Sequence, residues 1–498
     1  MEILEAVPRP DFLIKSISEQ GYSLKSAIAD LIDNSITANA TNIQVLVDSD
    51  KEPFKLFLAD NGDGMSRQEL IQNMQFPSSN PETMRKTADL GRFGLGLKAA
   101  SFSQTRQFTV ITRKKGSTKY SALRWDVEHL VASKSWQMLV VTDEEVTAIL
   151  KEFEALDSAF LNKSEAFIPN TFVVWSGLYK FENYLKPQNR KNALAREIVN
   201  NTAEHLGIVF HRYLEEKNNK VSIRVNNAQI KPFNPFPETE QALRKLEFRQ
   251  KDFGQDNIRL EGFILPSSSI KDSKVSKNVW TLPNKSLLDL EGVYIYRSNR
   301  LIIYGGWNGL IRKAPRRQLA RLRVDIGNNA DNLLHLNVAK SKVIIPHDLV
   351  NAFKEYIEEL TSEAEKEFYN RGINRLDDKS GAKEATLLTK VHSNKGPLLE
   401  INESFPIYKE LLSTLGKNEK SQLRLLNRMI NTTINKIRNT HESVSYYKCE
   451  EAQTGDLADI IKKLVEQGFS KSFITEEVIK QMGIDVKTLP EEILKLME

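Results

Sequence analysis

Cysteine is nearly absent, with Cys449 the only one in 498 residues. One thiol allows no intrachain disulfide and no cysteine-based zinc site, and it points to a reducing, cytosolic setting. No stretch of apolar residues approaches the length of a transmembrane helix, so no membrane role is expected. The opening residues, MEILEAVPRPDFLIKS, lack a basic region followed by an apolar run, so no signal peptide is expected either. The seven histidines are scattered without metal-ligand spacing; His129, His205, His211 and His335 read as structural. No Gly-Lys-Ser/Thr occurs, which excludes a Walker-type phosphate loop, and there is no internal repeat. Neither sign of charge dominates. The 70 basic and 65 acidic residues leave a net +5, which permits nucleic-acid contact without arguing for it.

What is present is a soluble composition, 40% hydrophobic and 27% charged, on a chain long enough for roughly two to four domains. A helix is expected from Ser23 through Ala38, then strands at TNIQVLV and KLFLAD, a short helix from about Arg67, and a polar loop, PSSNPETMRKTAD. Strands follow in QFTVITRKKG, KYSALRWDV, SWQMLVVT and FIPNTFVVWSGL, giving a helix-plus-antiparallel-sheet layer of the α+β class. A helical run, ALAREIVNNTAEHLGIVFHRYL, opens a second unit with the Asn-Asn hairpin of VSIRVNNAQIKPF and further strands at RLEGFIL, GVYIYRSNRLIIYGG and RLRVDIG. HLNVAKSKVIIP closes that unit. After it come a helical stretch, a polar linker around DDKSGAK and a small α-rich tail.

Three stretches carry chemistry. In SLKSAIADLIDNSITA, Leu24, Ala27, Ile28, Leu31 and Ser35 mark an inward face, while Asp30, Asp33, Asn34 and Thr37 fall on a second one. That second stripe fits a solvated side. It also fits a helix offering a carboxylate and an amide oxygen, one turn apart, to a hard cation such as magnesium. In LADNGDGM the Asn-Gly and Asp-Gly pairs suit an ordinary hairpin turn; alternatively Asp60, at the end of an apolar strand, accepts from an exocyclic amine while Gly62 and Gly64 let the backbone lie flat beneath a ring. Gly91, Gly94 and Gly96 followed by Lys98 are either packing glycines or a loop that aims backbone amides at phosphate.

Taken together, a helix with Asp and Asn, then DNGDGM, a polar loop and GRFGLGLK resemble the GHKL ATPase superfamily. Its gyrase, ninety-kilodalton chaperone, histidine kinase and MutL members share the Bergerat nucleotide-binding fold. The wording of ADLIDNSITANA and DLGRFGLGLKAASFSQ is most similar to MORC-like and related bacterial members. The resemblance covers Gly21 to about Leu178, extends more weakly into the next unit, and stops near residue 350. It implies a Bergerat ATPase sandwich at 1–185 and a transducer domain with a ribosomal-protein-like βαβ fold at 186–350; the helical rhythm of the sequence itself gives a small helical C-terminal domain at 351–498.

The cofactors implied are ATP and Mg2+. By resemblance Asn34 ligates the metal and Asp60 binds the adenine amino group, with Gly62, Gly64 and Met65 lining the base pocket. Gly91, Arg92, Phe93, Gly94, Leu95, Gly96 and Lys98 wrap the triphosphate, under a lid formed by Pro77 to Asp89. Thr171 matches the threonine of the family's Gly-Thr strand motif, although Asn170 stands where the glycine is expected. Lys340, with Lys342 as fallback, reaches the terminal phosphate. Where most members carry the glutamate that orients the attacking water this chain has Asp30, one methylene shorter and of similar basicity. Hydrolysis with slow turnover is therefore implied, with Asp33 the weaker candidate base.

Two basic clusters remain, Arg312, Lys313, Arg316, Arg317, Arg321 and Arg323, and Arg113 to Lys115. They read as a phosphate-contacting surface or as a solvated sheet edge. The expectation is a cytosolic ATPase that closes as a homodimeric clamp on ATP, with the arm Met1 to Ile14 suited to exchange between protomers. It would act on DNA or with a DNA-acting partner, in DNA processes or anti-phage defence. The alternatives are an ATP-gated scaffold that does not hydrolyse and recruits effectors, and a client chaperone.

Overall fold

The computed structural model describes residues 8–19, 21–76, 96–160, 168–183, 185–217, 220–253, 256–272, 279–327, 345, 347–377, 387–393, 396–438 and short stretches between 461 and 479. The chain divides into two compact units, Met1–Leu265 with Ser269–Leu360 and Pro266–Ser268 with Thr361–Glu498.

The first unit begins with α1 (Pro10–Ser18) and α2 (Leu24–Thr37), then β1 (Asn42–Asp48), β2 (Lys55–Asp60), α3 (Arg67–Met74), α4 (Gly96–Phe102), β3 (Gln107–Thr112), β4 (Ser121–Asp126), α5 (Val127–Ser133), β5 (Leu139–Val140), α6 (Asp143–Ala159) and β6 (Thr171–Ser176). With β7 (Ser222–Val225) and β8 (Ala228–Gln229) these strands make an eight-stranded sheet in the order β5-β4-β3-β6-β2-β1-β7-β8. Its pairs are antiparallel except β1 with β7.

Both faces of this sheet are covered. Val45, Leu56, Leu58, Val110, Val173 and Trp175 pack with Ala27, Ile28 and Leu31 of α2 and with Ala99 and Phe102 of α4. Their neighbours in sequence, Leu46, Phe57, Ala59, Ile111, Phe172 and Val174, pack instead with Val146 and Phe153 of α6. Adjacent strand residues point to opposite faces, so a strand buried on both sides reads as an unbroken apolar run. The α6 layer is an addition to the sequence reading, which places no helix at 143–159. Its signal is present in Val146, Ile149, Leu150, Phe153 and Leu156 at helical spacing, behind Thr142, whose side chain accepts from the Glu145 amide at 3.3 Å.

A second sheet contains β9 (Arg244–Lys245), β10 (Arg249–Phe253), β11 (Asp256–Ile264), β12 (Gly292–Arg297), β13 (Arg300–Tyr304) and β14 (Ala320–Ile326). Its order is β10-β11-β14-β12-β13, with β9 on β11 and β12 parallel to β14. Helices Pro187–Arg196, Ala203–Val209 and His211–Glu215 contribute Leu194, Leu206 and Leu214, with Phe210 at the junction of the last two, to the same core cluster as α2, together with Phe263, Tyr294 and Leu301 of the second sheet. The Asn-Asn turn forms as expected, Asn226 and Asn227 both having left-handed φ. Its strands, however, complete the first sheet, so a boundary at 185/186 cuts through that sheet.

In the second unit β15 (Leu388–Ser393) and β16 (Gly396–Ile401) form a hairpin beside helices Pro406–Thr414 and Lys417–Arg438. Asn431 and Asn435 accept from the amides of Ile401 and Leu399, at 2.9 and 3.0 Å, and tie the long helix to β16. Among the described residues the α-rich tail thus also carries a two-stranded hairpin.

Candidate functional site

Helix α2 starts at Ser23, whose hydroxyl accepts from the Ser26 amide while Ser26 returns the bond to the Ser23 amide, a reciprocal cap. Leu24, Ala27, Ile28, Leu31 and Ser35 are buried as the spacing requires. The second stripe divides in a way the sequence did not reveal. Asn34 and Thr37 are exposed, whereas Asp30 and Asp33 are 4% and 1% exposed.

Residue parity along the strands places Asp60 on the α2 face, next in step after Leu56 and Leu58. The register pairs Asp60 with Thr171 on β6, and Thr171 with Thr112 on β3. The three polar side chains therefore stand in a row at one end of the sheet. Ser35 of α2 donates to Asp60 Oδ2 at 2.8 Å and the Gly62 amide donates to Oδ1 at 2.9 Å. Both donors are neutral. Burial pushes the Asp60 carboxyl up to about 6 against the opposing pull of these two bonds. Thr112 Oγ1 lies 3.0 Å from Thr171 Oγ1 and accepts from the Met65 amide at 3.0 Å, so Met65 and Thr171 join the same group.

The DNGDG turn is fixed by the protein itself. Asn61 accepts from the amides of Thr41 and Asn42, both at 2.9 Å. Asn170, the residue that departs from the resemblance, donates from Nδ2 to the Gly62 carbonyl at 2.8 Å, and its own amide donates to the Asp60 carbonyl at 2.7 Å. A Cβ on Gly64 would lie 1.8 Å from the Arg113 carbonyl oxygen, and its φ is +62°; a Cβ on Gly62 would lie 2.6 Å from the Ala38 carbonyl oxygen. Close backbone packing is thus a sufficient reason for both glycines.

Gly96 opens the described part of α4, but Lys98 does not extend into solvent. Its ammonium donates to the carbonyls of Asn73 and Gln75, each at 2.8 Å, at the C-terminal end of α3, where the helix dipole favours a cation. Burial lowers its pKa to about 8. Lys98 thus ties α4 to α3. Gly91, Arg92, Phe93, Gly94, Leu95, the loop Pro77 to Asp89, Lys340 and Lys342 lie outside the described residues.

Arg300 and Tyr22 escaped the sequence reading. Arg300, first residue of β13, donates from Nε to both Asp33 oxygens at 3.0 and 3.1 Å, and its Nη2 stands 4.0 Å from Asp30. The Tyr22 hydroxyl donates to Asp30 Oδ2 at 2.8 Å. Burial first, then the Asp30 charge, raises the Tyr22 pKa well above its usual value. Nothing in the hairpin RSNR marks an arginine that will reach a helix 267 positions away.

Among the described residues no group of three or more His, Cys, Asp or Glu side chains could hold a metal. The exposed Asn34 amide is an oxygen donor of the kind that magnesium accepts, and its exposure leaves it open to such a cation. The basic clusters are smaller than the sequence suggests. Arg321 is fully buried on the Pro235 and Trp280 carbonyls, and Arg323 pairs with Glu238 and Glu261. Lys114 pairs with Glu69 at 2.9 Å. His205 and His211 are structural as expected, bonded to the hydroxyls of Tyr304 and Tyr296.

A family profile for histidine kinase-, DNA gyrase B-, and HSP90-like ATPases matches residues 22–158, from Tyr22 through most of α6. Residues 22–158 thus resemble this ATPase family. The chain is similar to ATPase morc-1 of Caenorhabditis elegans (35% identical over 104 residues, 21% of this chain) and to ATPase MORC2B of Mus musculus (35% over 97 residues, 19% of this chain). It is also similar to chaperone protein HtpG of Burkholderia cenocepacia (strain HI2424), at 30% over 106 residues and 19% of this chain. The matches span 12%, 9% and 17% of those three proteins' own lengths. No helix among the described residues is long and apolar enough to cross a membrane.

Proposed function

We propose that the ATPase domain binds ATP with Mg2+ between α2 and the ends of β2 and β6, and hydrolyses it slowly. The observation that carries this reading is the buried Asp60 carboxylate, met by two neutral donors that use two of its roughly four acceptor positions. The remaining positions accept the adenine amino group, with Thr171 and Met65 alongside. Asn34 holds the metal, which when bound neutralises charge on the phosphate oxygens. Asp30 orients the attacking water and accepts its proton. Gly91 to Gly96 surround the phosphates and Lys340 reaches the terminal one, while Lys98 braces α4 on α3. The second sheet is the transducer in this reading.

The test is magnesium-dependent binding of a non-hydrolysable ATP analogue combined with phosphate release. Asn34→Ala is expected to abolish the magnesium dependence, and Asp30→Asn to keep binding while losing phosphate release. Wild-type protein that binds no adenine nucleotide would overturn the reading.

One observation favours a second reading, an ATP-gated scaffold without turnover: Asp30 is already engaged by Tyr22 and faces Arg300. Analogue binding with no phosphate release under any dimerising condition would select it. In either case ATP drives homodimerisation, and the exposed Arg312, Lys313 and Arg316 meet DNA phosphates. Sizing with and without analogue tests dimerisation. Repeating it with duplex DNA at rising salt tests the DNA contact, since phosphate contacts weaken steeply with salt. A client chaperone would instead suppress aggregation with no salt-sensitive DNA affinity.

A further inference from the structure

Two carboxylates three residues apart on one helix face, both buried, require a counter-charge. The structure supplies it from the second sheet. Arg300 begins β13 directly after a two-residue turn, where Arg297 pairs with Arg300, and its Nη1 donates to the Leu301 carbonyl at 2.6 Å. That bond orients the guanidinium, and the Phe210 ring lies 5.2 Å from its centre. With Nε on both oxygens of Asp33 and Nη2 4.0 Å from Asp30, one side chain faces both acidic residues of α2.

We propose that Arg300 is a positioning residue that sets Asp30 for hydrolysis and couples α2 to the β12–β13 hairpin, so that a change at the nucleotide site is felt in the second sheet. The role of Asp30 rests on the reading above; the coupling rests on the ion pair itself. Asp33 takes the grip of the arginine and Asp30 receives its field. This leaves Asp30 held by Tyr22 on one oxygen while the other faces the guanidinium. Breaking a buried pair leaves an uncompensated charge that the neighbouring elements must move to hydrate, so loss of Arg300 should loosen α2 and β13 together.

The experiment compares wild type, Arg300→Lys, Arg300→Gln and Asp33→Asn by hydrogen exchange, analogue affinity and steady-state phosphate release. In nucleotide-free protein, Arg300→Gln is expected to speed exchange at least tenfold in both the α2 segment around Asp30–Ser35 and the β13 segment. With analogue bound, wild type gains protection in β13 and the variant does not, although analogue affinity changes less than threefold. Phosphate release at saturation falls at least tenfold with KM nearly unchanged, and Arg300→Lys recovers part of it. Should Arg300→Gln fail to fold, Asp33→Asn, which keeps the side-chain shape, gives the same comparison. Faster exchange confined to the hairpin, with α2 and turnover unchanged, overturns the proposal. If wild type binds no analogue, the nucleotide reading falls, and the paired exchange change in nucleotide-free protein still decides the coupling.

Discussion

Asp60 and Asp33 lie in the same unit, one on a strand facing α2 and the other on α2 itself, and both are almost completely buried. They are satisfied in opposite ways. Asp33 is gripped by the Arg300 guanidinium through two charge-assisted contacts. Asp60 meets a serine hydroxyl and a backbone amide, with no cation among the described residues against it. A carboxylate locked on arginine has its charge cancelled and its geometry set by its partner, which suits it to transmit position. A carboxylate held by neutral donors keeps a raised pKa and spare acceptor capacity, which suits it to read a ligand.

Breaking the cation side of this comparison should have the largest effect. Arg300→Ala leaves Asp33 buried without its counter-charge and is expected to destabilise the first unit by about 3–5 kcal/mol. Chemical unfolding followed by a probe in that unit measures it.

Next comes the neutral side, through pH. The folded-state pKa of Asp60 is raised to about 6 from 3.8, so the folded protein binds more protons than the unfolded chain between those values. Stability contributed at this site therefore falls as pH rises from about 4 to about 6, and the ionised form costs about 3 kcal/mol at neutral pH. The difference in unfolding free energy between wild type and Asp60→Asn should follow that slope and be flat above it.

A smaller effect is expected at Asn170→Ala. Losing its side chain leaves the Gly62 carbonyl without that donor and should cost about 1–2 kcal/mol, with faster exchange of the Gly62 to Met65 amides. Smallest is Ser35→Ala, about 1 kcal/mol. Because the Ser35 bond lowers the Asp60 pKa, its removal should also move the slope to higher pH.

Much of the fold was legible because local periodicity coincided with burial. Helix α2, the strands β1 to β4 and β6, the Asn-Asn hairpin and the strands β11 to β14 fall where the pattern puts them. Helix α6 was obscured because the strands it covers are apolar on both faces, and β7 with β8 was assigned to the second unit because a parallel partner distant in sequence leaves no local mark. In the site, register and hydrogen bonds bring Asp60, Thr171 and Met65 together. Asn34 is exposed and Asp30 buried, a split that helical spacing alone cannot give. Arg300 was invisible for a physical reason: an ion pair across 267 positions is decided by how two sheets share a core, and no short-range pattern encodes it.

Titration of the protein with a non-hydrolysable ATP analogue and magnesium, for wild type and Asp60→Asn across the acid range, bears most directly on the nucleotide site. Wild type should bind at neutral pH and weaken about tenfold per pH unit below about 6 as Asp60 takes up its proton. The variant should bind at least tenfold more weakly at neutral pH, without that acid dependence. Equal affinity of the two proteins at neutral pH would contradict the account.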